Sequence, residues 1–171
     1  EALMAAHPSE SEPIDLLASL YTQIGDMDKA ILALKGGIKA DPKNTMFRTA
    51  LAQIYLSRRE YEKVEQVLLE LVNIEPERLE RRVALSIFYS NINQLEKAEK
   101  TIREAVQADP SDPTRILLLA EFLINRKNIS EAETELLKAI KKNSDVYKLH
   151  FALARIYEQT GALDKAVQIY R

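Results

Sequence analysis

The sequence predicts an all-α protein built from helix pairs that repeat at a constant interval of about 34 residues. Four series of equivalent positions carry this period, and one of them consists of Pro8, Pro42, Pro76 and Pro110. Within a repeat, apolar residues recur three and four positions apart, as one face of an amphipathic helix requires. The 171 residues include only 4 Gly and 6 Pro, which are too few turn formers for a many-stranded β sandwich or barrel.

The second repeat shows how each helix is predicted. Its first helix carries the apolar residues Phe47, Leu51 and Tyr55, and a polar break at residues 57–60 ends it. A second apolar face follows the break, and its first turn contains an acidic residue or a serine in every repeat, which suits a helix N-terminus. Pro76 then ends the second helix, because proline lacks a backbone N–H and clashes with the preceding turn.

The phased residues resemble the motif of the tetratricopeptide repeat (TPR) family over nearly the whole chain. In the second repeat the motif residues are Leu51, Ala52, Tyr55, Val64, Leu68 and Pro76. The departures are Leu123 in place of a tyrosine, Ser144 in place of a proline, and Leu71 where a small residue is usual. The resemblance implies a right-handed α-solenoid of stacked antiparallel helix pairs, with first helices on a concave inner face and second helices on a convex outer face.

The phase of the family motif divides the chain into six segments. They are 1–10, the tail of a preceding repeat; 11–44, 45–78, 79–112 and 113–146, the first four repeat units; and 147–171, an incomplete fifth unit. A helix pair of about 34 residues cannot bury its apolar face alone, so neighbouring pairs must stack to complete a core. No repeat resembles the polar cap that such arrays need for solubility, so we expect this chain to be part of a longer array.

Composition argues against several classes of function. A net charge of −2 and a pI near 5.8 provide no basic field for holding nucleic acid. The longest apolar run, residues 116–120, is far shorter than the ~20 residues of a membrane-spanning helix, so we expect no membrane contact within this segment. The absence of cysteine excludes a disulfide scaffold, a thiolate zinc site and a cysteine nucleophile, but it does not indicate a compartment.

Candidate catalytic residues are few, and we predict a non-enzymatic protein without a cofactor or a metal. His7 and His150 lie in different repeats without a carboxylate at ligand spacing, so a structural role is expected for His150. Gly36 and Gly37 lie inside a helical pattern and follow no strand, which argues against a phosphate-binding loop. Gly37 occupies a small-residue position of the motif, which predicts close helix packing there.

Five arginines lie close together in repeat phase and leave two interpretations open. They are Arg48, Arg78, Arg81, Arg82 and Arg115. One interpretation is a basic stripe that binds a phosphate or an acidic partner. The other, which we favour, is a surface neutralised by the glutamates interleaved at residues 75–80.

The resemblance places a candidate partner-binding groove on the concave face. The residues expected to form it are Met46, Thr49, Gln53, Val83, Ile87, Leu117, Leu118, Glu121 and Phe151. Exposed apolar surface of this extent indicates a binding site, although the same residues could instead pack between adjacent first helices. The family's clamp for chaperone C-terminal tails is not expected here, because only Lys148 fits a clamp position in any register.

We therefore expect a protein-interaction scaffold whose groove binds an apolar or amphipathic segment of a protein or peptide partner. One alternative is self-assembly into homo-oligomers through stacking of the open helical ends. A second alternative is a regulatory array fused to an enzyme or to an envelope-anchored domain outside these residues.

Overall fold

The structure, a computed structural model, describes residues 11–171, and this part of the chain contains ten α-helices and no strand. The helices are α1 (Ser11–Gln23), α2 (Met27–Ala40), α3 (Thr45–Ser57), α4 (Tyr61–Ile74), α5 (Leu79–Asn91), α6 (Leu95–Ala108), α7 (Pro113–Asn125), α8 (Ile129–Lys142), α9 (Tyr147–Gln159) and α10 (Leu163–Tyr170). The all-α prediction is therefore confirmed. The expected repeat tail at 1–10 lies outside the described residues.

The helices belong to two compact units, and α5 contributes residues to both. The amino-terminal unit extends to Leu85, and the carboxy-terminal unit covers Ser86–Arg171. In the amino-terminal unit, α1 packs against α2, α2 against α3, and α3 against α4. In the carboxy-terminal unit, each helix from α6 to α10 packs against the next, and α7 also contacts α9. Helices joined by short turns therefore pack in chain order, as stacked helix pairs require.

The core of the amino-terminal unit depends on a close approach between α2 and α3. A Cβ atom built on the buried Gly37 would lie 2.8 Å from Cε2 of Phe47 and 3.0 Å from Cγ2 of Ile14. Phe47 is itself only 1% exposed, so its ring fills the space that a side chain at position 37 would need. The prediction that Gly37 serves close helix packing is confirmed.

The core of the carboxy-terminal unit is one contiguous cluster to which every helix from α6 to α10 contributes. Its members are Ile102, Ile116, Leu119, Ala120, Leu123, Ala132, Leu136, Ala139, Leu149, Leu153, Ile156, Tyr157 and Ala166. Alanines such as Ala132 allow helices to approach closely, and leucines such as Leu136 fill the remaining volume. Leu123, which stands in place of the motif tyrosine, is fully buried and keeps the core filled.

The turn within each helix pair has the same conformation throughout the described chain. Its left-handed residues lie one repeat apart, with φ between 59° and 81°, and are Gly25, Arg59, Asn93, Lys127 and Gly161. The next residue donates its backbone N–H to the carbonyl five positions earlier, as Glu60 does to Tyr55 at 2.9 Å. This bond, together with one from the left-handed residue itself, defines a Schellman motif that satisfies the last carbonyls of the first helix.

Candidate functional site

The amino-terminal unit contains a cavity between its first helices, α1 and α3. This amino-terminal cavity has a volume of about 440 Å³. It is lined by Asp15, Ala18, Ser19, Thr22 and Gln23 of α1, Met27 and Leu34 of α2, and Ala50, Gln53, Ile54 and Ser57 of α3. Its rim is polar and its floor, which includes the fully buried Leu34, is apolar.

The three expected groove residues of α3 lie on one face of that helix. Met46, Thr49 and Gln53 are three and four positions apart, and all three are exposed. Gln53 lines the amino-terminal cavity, whereas Met46 and Thr49 continue the same stripe toward the start of the helix. The Thr49 hydroxyl donates to the carbonyl of Thr45 at 2.9 Å, and the Met46 side chain is 58% exposed.

The carboxy-terminal unit contains the equivalent cavity between α7 and α9. This carboxy-terminal cavity has a volume of about 340 Å³. It is lined by Leu117, Ala120, Glu121, Ile124 and Asn125 of α7 and by Ala152, Arg155 and Gln159 of α9. The structure thus brings the expected groove residues Leu117 and Glu121 together with Arg155, which is one repeat after Glu121.

Leu117 and Leu118 have different surroundings although they are neighbours in the sequence. Both are half-buried and both pack against the core of the carboxy-terminal unit, but of the two only Leu117 also lines the cavity. Adjacent residues of an α-helix point about 100° apart, so the two side chains meet different parts of the unit. Leu117 thus combines packing against the core with a position in the cavity, whereas Leu118 shows the packing alone.

Phe151 lies in a cluster of three exposed aromatic rings. Its ring meets Tyr147 edge to face, with centroids 6.0 Å apart, and lies 5.7 Å from the ring of Tyr170 on α10. The Tyr170 hydroxyl donates to Glu158 at 3.2 Å, and partial burial together with that carboxylate raises the pKa of Tyr170. Phe151 remains 51% exposed, so the cluster presents an aromatic surface rather than a closed core.

The two expected groove residues of α5 belong to different units. Val83 is half-buried in the amino-terminal unit, and Ile87 is 54% exposed in the carboxy-terminal unit. Neither residue is among those that line the amino-terminal or the carboxy-terminal cavity of the described chain.

Four polar side chains of the carboxy-terminal cavity are exposed and have no hydrogen bond or ion pair within the described residues. They are Glu121, Asn125, Arg155 and Gln159. Arg155 does lie close enough to the Tyr170 hydroxyl for its charge to act on that group. By contrast, Arg103, Arg115 and Arg126 of the same unit are each ion-paired. The cavity therefore concentrates polar groups that the fold itself does not use.

Two of the arginines in repeat phase bind backbone carbonyls in the loops between successive helix pairs. A guanidinium nitrogen of Arg48 donates to the Pro42 carbonyl at 2.7 Å, and Arg82 makes the equivalent bond to Pro76. Two repeats after Arg82, Nε2 of His150 lies 2.8 Å from the carbonyl of Ser144. The prediction of a structural role for His150 is confirmed. Arg48 and Arg82 have the same role, since each binds a carbonyl of the loop that precedes its helix.

The remaining arginines of the set are neutralised by acidic side chains. Arg81 pairs with Glu75 and also donates to the Thr45 hydroxyl at 3.0 Å, and Arg78 pairs with Glu75 at 3.2 Å. The hydrogen bond from Arg81, supported by the charge of both arginines, lowers the pKa of Glu75. Arg115, only 6% exposed, pairs with Asp112. The ion pairs of Arg78, Arg81 and Arg115 support the interpretation as a neutralised surface.

A lysine lies over the motif tyrosine in four repeats. The ammonium-to-centroid distances are 5.6 Å for Lys29–Tyr21, 5.2 Å for Lys63–Tyr55, 5.2 Å for Lys97–Tyr89 and 5.0 Å for Lys165–Tyr157. Such contacts stabilise a fold by about 0.5–1 kcal/mol at exposed sites. In the fourth unit Leu123 replaces the tyrosine, and Glu131 replaces the lysine and binds Arg103 instead. This pairing was not predicted, although both partners recur at the repeat period.

Tyr157 has a second polar contact besides the lysine over its ring. Its hydroxyl donates to Glu133 of the preceding helix pair at 2.9 Å. Burial of the ring and the neighbouring Glu133 carboxylate both raise the pKa of Tyr157. The motif tyrosine thus joins successive helix pairs through its apolar ring and its polar hydroxyl together.

The described residues offer no arrangement of side chains suited to metal binding. No group of three or more His, Asp or Glu residues comes together within residues 11–171 in a way that could hold an ion. No described helix combines the length and the apolarity that crossing a membrane requires.

Family comparisons agree with this arrangement of helix pairs. A sequence model described as tetratricopeptide repeat matches residues 21–82 and 93–148, and a second model with the same description matches residues 149–171. The chain belongs to the TPR family. No protein of curated function matches the TPR chain significantly.

Solved structures show the same fold at low sequence identity. MamA from Desulfovibrio magneticus RS-1 is 14% identical, with a TM-score of 0.56 over 93% of this chain and 90% of that one. YrrB, described as a TPR protein with an unusual peptide-binding site, is 12% identical, with a TM-score of 0.55 over 98% and 87%. A chain of the Naa15/Naa10 complex bound to HypK-THB is 23% identical, with a TM-score of 0.62 over 90% and 25%.

Membership of the TPR family fixes the general role of the fold. TPR arrays are generally non-enzymatic scaffolds that bind protein or peptide partners, and the family match supports a protein-interaction scaffold here. The concave surfaces of such stacked helix pairs are their usual binding surfaces.

Proposed function

We propose that this TPR chain binds an apolar or amphipathic segment of a partner protein at the cavities between its first helices. The observation that carries the proposal is the carboxy-terminal cavity, where Leu117, Ile124 and Ala152 form a half-buried apolar floor beneath exposed polar side chains. Its volume of about 340 Å³ lies within the range of 300–1,000 Å³ that is typical of ligand pockets.

The aromatic cluster beside this cavity supports the same proposal. Phe151 and Tyr147 are 51% and 62% exposed and belong to α9, the helix that forms one wall of the cavity. Aromatic side chains are enriched where proteins bind one another, because they bury a large area at a low cost in conformational entropy. A partner segment seated on Leu117 therefore has an adjoining aromatic surface in the same unit.

Affinity capture from a lysate of the source organism tests this proposal with a matched pair of leucine variants. Leu117→Glu places a charge on the apolar floor and should abolish capture, because an unpaired charge against an apolar partner is costly. Leu137→Glu introduces the same change at a 45% exposed leucine of the outer helix α8 and should leave capture unchanged. A thermal melt of each variant accompanies the capture.

Two results would decide against the proposal. Capture that survives Leu117→Glu in a folded protein would move the binding surface elsewhere. If Leu117→Glu instead unfolds the protein, Leu117 is a core residue and Phe151→Glu, which replaces an exposed ring, becomes the deciding variant. Retention of all captured proteins by Phe151→Glu would then contradict binding at this surface.

A further inference from the structure

We propose that the carboxy-terminal cavity selects an extended peptide segment with a basic and an acidic residue, each two positions from a central apolar one. This inference rests on the proposed function and names the chemistry of its partner. Its basis is that Glu121 and Arg155 line the same cavity without a hydrogen bond or an ion pair to any described residue.

The two charges provide complementarity to such a segment. Glu121 lies on α7 and Arg155 on the neighbouring α9, so the cavity has an anionic wall and a cationic wall. Other charged side chains of the same unit are already paired, as Arg126 is with Glu99 and Arg103 is with Glu131. A segment with one charge of each sign can therefore pair with both walls without breaking a contact of the fold, and like charges would be repelled.

Two side-chain amides lie one helical turn beyond the charges. Asn125 follows Glu121 by four residues, Gln159 follows Arg155 by four residues, and both amides line the cavity without a hydrogen-bond partner among the described residues. Each amide carries donors and an acceptor, so it can bind the N–H and C=O groups of an extended backbone whatever its sequence. The amides thus fit the backbone of the segment, while the charges select its side chains.

The spacing of the two charges on the segment follows from helix packing. Glu121 and Arg155 occupy equivalent positions on helices that contact each other. Side chains of an extended chain alternate between two faces, so those that face the cavity are two positions apart, and the two that flank a central one lie about 13 Å apart. The axes of packed helices lie about 8–10 Å apart, and the long side chains of Glu121 and Arg155 can cover the difference. An apolar residue between them can then reach the floor formed by Leu117 and Ala152.

The amino-terminal cavity provides an internal comparison. Its residues Ser19 and Gln53 are three repeats before Glu121 and Arg155, and both are uncharged. Gln23 and Ser57 occupy the positions of the two amides and are also uncharged. The fold therefore does not need charges at these positions, and the pair in the carboxy-terminal cavity is a local property.

A random peptide library displayed on phage and selected on the immobilised full chain tests this inference. Wild-type protein should enrich peptides with opposite charges two positions before and after an apolar residue, in one preferred order. The double variant Glu121→Arg, Arg155→Glu should enrich the reverse order and bind a wild-type-selected peptide about tenfold or more weakly, because two attractive contacts become repulsive. The matched control Glu135→Lys, Lys138→Glu exchanges charges on the outer helix α8 and should change neither result.

The outcomes separate this inference from the proposed function. Suppose that Leu117→Glu abolishes binding of the enriched peptides, but that the charge exchange at positions 121 and 155 leaves their charge pattern unchanged. That result would overturn the charge selection and support binding at the cavity. An absence of enriched peptides on the wild-type chain would overturn it as well. The neutral double variant Glu121→Gln, Arg155→Gln gives a second reading, since enrichment of the same charged pattern on it would also contradict the inference.

Discussion

Gly37 lies directly against the ring of Phe47, so that a methyl group at position 37 would overlap the ring. The adjacent Gly36 has open space around the position of its missing Cβ. One pair of glycines therefore separates two effects that alanine substitutions usually combine, namely the gain in helix propensity and the loss of close packing.

Gly37→Ala should lower the free energy of unfolding by roughly 1–3 kcal/mol, because the new methyl group forces Phe47 or α3 to move. Gly36→Ala should raise it by about 0.5–1 kcal/mol, because alanine restricts the unfolded chain and nothing obstructs its side chain. Urea unfolding of both variants tests this. Equal shifts of the two midpoints would mean that α2 and α3 are not in close contact.

Gly161→Ala should lower the free energy of unfolding by about 1 kcal/mol. No atom lies within 4 Å of the added Cβ, so the cost comes from the left-handed backbone, with φ of 76°, rather than from a clash. Lys127→Gly, at the equivalent turn one repeat earlier, should leave stability unchanged or raise it slightly. Glycine adopts a positive φ without steric strain, which favours the folded state, but it also increases the conformational entropy of the unfolded chain. A stable Gly161→Ala protein together with a destabilised Lys127→Gly protein would contradict this account.

Glu75→Gln should flatten the loss of stability in acid. Arg81 and Arg78 hold the pKa of Glu75 below its ordinary value of 4.5, so this carboxylate stabilises the folded state fully above that pH. Its contribution is lost as the pH falls through the lower pKa of the folded state, and the glutamine variant has no such contribution to lose. Urea midpoints measured from pH 6 to pH 3 provide the comparison, and Glu62→Gln, an exposed glutamate of α4, serves as the control.

Tyr89→Ala should lower the free energy of unfolding by about 3–5 kcal/mol, because the ring is only 5% exposed and packs 5.7 Å from Phe88. Ala98→Leu should cost about 1–3 kcal/mol, because Ala98 has no exposed surface and the larger side chain overpacks the site. Tyr147→Ala is the control, since Tyr147 is 62% exposed. Wild-type midpoints for the first two variants would show that the repeat phase is misassigned.

The repeat made most of the fold predictable. A constant repeat spacing places apolar positions in equivalent environments, so Leu119, Ala132 and Leu136 could be assigned to a core from the amino-acid sequence alone. The turns were less predictable. Glycine indicates a left-handed residue at positions 25 and 161, but Arg59, Asn93 and Lys127 adopt the same conformation without it. At those turns the Schellman hydrogen bonds, rather than the residue type, determine the backbone.

The candidate site was predictable only in part. The family phase selects Leu117 and Glu121 for the concave face, and both line the carboxy-terminal cavity. It does not separate Leu117 from Leu118, because that difference depends on how α7 is rotated against α9. Asn125 and Gln159 were missed since an amide near the end of a helix has no distinctive pattern, although the two occupy equivalent positions in consecutive repeats.

The exposed polar side chains of the carboxy-terminal cavity contribute no hydrogen bond or ion pair to the described fold. Surface substitutions away from structural contacts change stability by about 0.5 kcal/mol or less, so these positions can mutate with little effect on folding. The motif residues, in contrast, are held by packing on several sides. Partner preference can therefore diverge between related chains by point mutation while the scaffold stays constant, and new specificities can arise without compensating changes elsewhere.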